Sequence, residues 1–106
     1  LGQELLEHMG FQVWTAASGD EALGIFRLYY QQIDLVIMDF NLPHIDAYQL
    51  LGDLKTIKPA VKVIVASGYL EQDDIERFGR AGAAGMIHKP FRAQQLQEEI
   101  IQVLGD

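Results

Sequence analysis

Apolar positions along the chain alternate between helical and strand spacings. Leu1, Leu5, Leu6 and Met9 share one helical stripe that Gly10 is well placed to end. "FQVWTA" (11–16) follows, rich in branched and aromatic residues, and is expected to form a short strand. Ser18 then stands three residues before Glu21, the spacing of a capping box. Ala22, Leu23, Phe26 and Tyr30 would form the buried face of the helix that it opens. In "IDLVIM" (33–38), Leu35 to Met38 are apolar without a break, as in a strand covered on both faces. Ala47, Leu50, Leu51 and Leu54 predict a helix over 45–56. "VKVIVA" (61–66) predicts another strand, entered after Pro59 and left at Ser67–Gly68. A helix over 71–82 would bury Ile75, Phe78 and Ala81 and turn Arg77 and Arg80 outward. "AAGMIH" (83–88) predicts a short strand, and from Phe91 onward Leu96, Ile100, Val103 and Leu104 repeat at helical spacing.

A helix followed by four strand–helix units implies an α/β fold of three layers, a doubly wound parallel sheet with right-handed crossovers. One domain is expected over 1–106, since two would each be too small for a good core. Such a domain normally opens on a strand and this sequence opens within a helix, so a first strand is expected upstream of Leu1.

Composition narrows the chemistry. The chain is 49% hydrophobic and 22% charged with three prolines, a folded rather than a disordered balance. Without cysteine there is no disulfide, thiolate chemistry or cysteine-based metal site, which suits a cytoplasmic setting. No apolar run is long enough for a membrane span, and the acidic start does not resemble a signal peptide. The formal charge of −7 lies entirely in residues 1–54, where Arg27 is the lone base. That field disfavours direct contact with nucleic acid and favours a metal ion or a partner with a basic surface.

Three expected strands deliver polar groups to one rim. The strand at 33–38 leads to Asp39, the next to Ser67, and the last to Lys89–Pro90. In open parallel sheets, ligands bind at the carboxyl ends of the strands. Taken singly, each residue has a plainer reading: Asp39 as a cap or turn, Ser67–Gly68 as a turn, Lys89 as a solvated charge. Together they suit phosphoryl transfer. A carboxylate can attack phosphorus and hold an acyl phosphate, a lysine can neutralise phosphoryl oxygens, and a hydroxyl can donate to one of them. A divalent cation would normally assist, and Asp39 could supply one oxygen ligand to it. His8 and His44 look like surface residues, His88 is out of phase with Lys89, and "GRAGAAG" follows a helix and so fails as a nucleotide loop.

The whole chain resembles a response-regulator receiver domain of two-component signalling. "DLVIMDFNLPHIDA" is similar to the family's phosphoacceptor segment, "VIVASGY" to its hydroxyl segment, and "AGAAGMIHKPF" to its lysine–proline segment. "GFQVWTAASGDEAL" is similar to the second strand and its helix. The resemblance implies a flavodoxin-like sheet of five strands in the order 2-1-3-4-5, strand 1 being the one upstream. It implies that Asp39 is phosphorylated, that Lys89 bridges to the phosphoryl group and that Ser67 is the switch hydroxyl. Mg²⁺ would be the cofactor, held by Asp39, the backbone carbonyl of Asn41 and an acidic pair that the family carries after its first strand. The donor would be a histidine kinase or a histidine phosphotransfer domain. Output would pass through the surface of the last two helices and the strand between them, where Ile101 could serve a homodimer. Two positions depart from the family pattern within the chain. Ala47 replaces a usual glycine, at a cost of roughly 1 kcal/mol if φ is positive and with a gain if the backbone is helical. Met86 occupies the aromatic switch position, which would make coupling a matter of packing. The alternative function is a degenerate receiver that binds partners without being phosphorylated.

Overall fold

A computed structural model describes residues 2–40 and 46–105, without the side chains of Gly2, Gln3 and Leu5. Expectations for Leu1, Asn41 and His44 therefore fall outside the described residues. Eight elements follow in order: α1 (Gly2–His8), α2 (Gly19–Tyr29), β1 (Leu35–Asp39), α3 (Ala47–Ile57), β2 (Lys62–Ser67), α4 (Gln72–Arg80), β3 (Gly85–His88) and α5 (Ala93–Gly105).

The strands form a parallel sheet in the order β1-β2-β3. β2 is central, and its side chains alternate between faces. Val63 and Val65 join Met38 under α2, α3 and α4, against Phe26, Leu50, Leu51, Leu54 and Phe78. Ile64 and Ala66 join Ile87 on the opposite face, against Leu96, Ile100 and Val103 of α5, with Leu6 of α1 packed alongside. These are the helix-covered faces of a flavodoxin-like α/β domain, and they explain why β2 is apolar from Val63 to Ala66. Each such side chain contributes about 1.5–3 kcal/mol by leaving water.

The helix ends follow local chemistry. Ser18 accepts from Glu21 N–H at 3.1 Å, while the Glu21 carboxylate accepts from Ala17 N–H at 3.2 Å. Asp46 caps α3 by accepting from the N–H groups of Tyr48 and Gln49. Ala47 is the first residue of α3 and buried, so its backbone is helical and alanine suits it. At the other end of α1, Gly10 takes φ +95° and Phe11 N–H reaches back to Leu6 O at 3.1 Å, closing the helix as expected.

Some expectations fail. Residues 11–16 belong to no ladder among the described residues, despite their strand-like composition. A strand needs a neighbour about 4.8 Å away, and a cavity of about 610 Å³ separates this segment from β1. Helix α4 stops at Arg80, two residues early, because Gly82 adopts φ +100° and Ala83 N–H bonds Phe78 O at 2.9 Å. Ile75 is 39% exposed and Ala81, at the cap, is exposed too; of the expected α4 stripe only Phe78 is buried. Leu104 likewise stays 37% exposed at the edge of the α5 stripe. No helix among the described residues is long and apolar enough to cross a membrane.

Candidate functional site

The parallel register brings the three expected rim residues together. Asp39 lies opposite Ala66 and Ser67 opposite His88, so the acid, the serine and the lysine end three adjacent strands. Lys89 N–H donates to Ser67 O at 2.7 Å, extending the ladder one step past β3. Across this edge the Lys89 ammonium pairs directly with Asp39 Oδ2. Both side chains keep about a third of their surface exposed, so an anion arriving from solvent can meet the pair.

Ser67 sits deeper. It is completely buried, and its hydroxyl donates to Tyr69 O at 2.8 Å while accepting from Tyr69 N–H at 3.1 Å. The residue therefore makes a turn and also stands at the rim, both roles that the sequence suggests for it. Tyr69 itself is 68% exposed beside the site.

Sequence reasoning missed the aromatic cluster beneath the acid. Phe40 follows Asp39, and its N–H is held by Ala66 O at 2.9 Å. The Phe40 ring packs T-shaped with Tyr48 and Phe78, at centroid distances of 6.0 and 5.3 Å. Tyr48 and Phe78 stack at 4.2 Å, and the Arg77 guanidinium lies 3.8 Å from the Tyr48 ring centroid. The Tyr48 hydroxyl donates to Asp74 Oδ1 at 2.7 Å. Burial, then the hydrogen bond and charge of Asp74, push the Tyr48 phenol up to about 12. The signal was present: Asp74, Arg77 and Phe78 share the i, i+3, i+4 face that α4 would turn toward a neighbouring helix. Met86 of β3 packs against the wider core that contains Phe78.

His8 and His88 are exposed, as a surface reading of histidines requires. Among the described residues no group of three or more His, Cys, Asp or Glu could hold a metal ion. Asp39 is a hard oxygen donor of the kind Mg²⁺ prefers, but it is a single carboxylate.

The response regulator receiver domain family matches residues 1–101. The chain belongs to that family. This receiver domain is 30% identical over 101 residues to sporulation initiation phosphotransferase F of Bacillus subtilis, covering 95% of the chain and 80% of that protein. It is 33% identical to sensor kinase CckA of Brucella abortus, covering 97% of the chain but 11% of the kinase. Among solved structures, a response regulator receiver domain protein of Clostridium thermocellum superposes with a TM-score of 0.89 at 33% identity, covering 97% of the chain and 82% of that structure. The chain thus spans most of one relative and a small part of another, while the receiver domain of two-component signalling is common to both.

Proposed function

We propose that Asp39 accepts a phosphoryl group from a phosphohistidine and that this changes which partner the α4–β3–α5 surface binds. The observation that carries the reading is the Lys89–Asp39 ion pair at the carboxyl edge of a parallel sheet. The Asp39 carboxylate attacks phosphorus, the P–N bond of the donor breaks, and the departing imidazole keeps the electron pair and takes a proton from water. Lys89 then shifts its charge from the carboxylate to the phosphoryl oxygens. Ser67 exchanges its bond to Tyr69 O for one to a phosphoryl oxygen, and Met86 follows by packing.

Mg²⁺ is the cofactor in this reading, and it supplies positive charge against the developing phosphoryl charge. Asp39 would hold it with the Asn41 backbone carbonyl; one described carboxylate is too few, so further oxygen ligands must come from outside the described residues. The donor is a histidine kinase or a phosphotransfer domain, and the setting is cytoplasmic. Ile101, 60% exposed on α5, would serve a homodimer contact across the output surface.

The test is transfer of a labelled phosphoryl group from a phosphorylated histidine phosphotransfer domain, with Mg²⁺. Label should move to wild-type protein, be absent from Asp39→Asn, and move about tenfold or more slowly to Lys89→Ala, which lacks one charge-assisted contact in the transition state. A chelator should stop it. Equal labelling of wild type and Asp39→Asn would refute the assignment.

A further inference from the structure

Polar tethers hold the start of helix α4, and they include one at the acceptor rim and one on α3. One is Ser67, whose hydroxyl holds both backbone groups of Tyr69 in the short loop leading to α4. The other starts from α3. Asp74 Oδ1 accepts from the Tyr48 hydroxyl at 2.7 Å, while Asp74 Oδ2 accepts from Glu71 N–H at 3.3 Å and closes the first turn of α4. One carboxylate therefore caps α4 and anchors it to the neighbouring helix. The Tyr48 ring is stacked on Phe78 and approached by Arg77, and Phe40 packs T-shaped with both rings. Phe40 is covalently next to Asp39, so displacement at the strand end is felt by the same rings that orient the Tyr48 hydroxyl.

We infer that the Tyr48–Asp74 hydrogen bond is a latch that holds α4 in its resting position, and that its release reports the state of Asp39 to the α4 surface. The second half rests on the phosphoacceptor reading above. Its physical basis is the order of the tethers: when Ser67 Oγ leaves Tyr69, the Tyr48–Asp74 bond still fixes the start of α4 to α3. Met86 carries no hydroxyl to exchange partners, so a hydrogen-bonded phenol on α3 supplies the two-state element. Tyr48 acts here through Asp74 and is a positioning residue.

Amide hydrogen exchange on the intact protein tests both halves, with beryllofluoride and Mg²⁺ as a phosphoryl mimic. Tyr48→Phe keeps the ring and removes only the donor. Without the mimic it should speed exchange of the first-turn α4 amides about tenfold, as expected for losing a bond to a charged acceptor, and leave β1 and β2 unchanged. Asp74→Asn should act in the same direction, and the double variant should add little to either single change. The mimic should loosen α4 in wild type and have a much smaller effect in Tyr48→Phe, where the latch is already open. Exchange in Tyr48→Phe equal to wild type without the mimic would overturn the latch. An equal response of both proteins to the mimic would overturn its reporting role. A wild type that ignores the mimic would instead refute the phosphoacceptor reading, with the first comparison still deciding the latch.

Discussion

Single residues carry more of this account than the apolar pattern alone suggests. Asp39, Ser67 and Lys89 were legible because a strand's carboxyl end is the natural ligand edge of a parallel sheet; Asp39 and Ser67 are the first polar groups after their apolar runs, and Lys89 follows His88. Tyr48 was not, because its partner is 26 residues away on another helix; the spacing of Asp74, Arg77 and Phe78 marks a face of α4 but not the residue it meets. Its raised pKa has a testable sign. The folded phenol, near 12, lies above the unfolded value of about 10, so its contribution to stability is complete below pH 10 and is lost as pH climbs through 12. Phenolate absorbance should show a step near pH 12 that Tyr48→Phe lacks; its persistence in that variant would contradict the assignment. Glycines in and just after α4 should behave oppositely. Gly82 has φ +100° and a Cβ there would meet Lys55 Cε at 2.9 Å, whereas a Cβ at helical Gly79 meets nothing within 4 Å. Gly82→Ala should cost about 1–2 kcal/mol in urea denaturation, and Gly79→Ala should be neutral or stabilising by about 0.5–1 kcal/mol.

At the scale of elements, helices and buried strands declared themselves by different signals. Leu50, Leu51 and Leu54 of α3, with Ala47, are all buried as their spacing requires, and β2 is apolar from Val63 to Ala66 because helices cover both its faces. Segment 11–16 shows where such reasoning stops. Its residues favour a strand, and Trp14 stacks on Tyr29 of α2 at 5.2 Å, yet a strand exists only through its neighbour. Amides of Val13 and Thr15 should therefore exchange much faster than those of Ile64 and Val65 in β2. Comparable protection would mean that 11–16 is paired after all. The end of α4 was misjudged for a local reason: periodicity favoured Ala81, but a glycine free to take positive φ closed the helix first.

Over the whole molecule these pieces form one arrangement. A parallel sheet with helices on both faces delivers a carboxylate, a buried hydroxyl and an ammonium to one edge, and an aromatic cluster connects that edge to α4. Fold class and rim were readable because alternating strand and helix patterns leave few topologies open. Output geometry was not, because contacts between α3 and α4 depend on how two separately amphipathic helices settle on the sheet. The central claim is that the acceptor is Asp39, and peptide mapping of the phosphorylated protein tests it most directly. After phosphorylation with Mg²⁺, borohydride reduces an acyl phosphate and converts the acceptor aspartate to homoserine, a change that tandem mass spectrometry locates. The account predicts conversion at Asp39 and none in protein kept from the donor. Conversion at another carboxylate, or none in labelled protein, would contradict it.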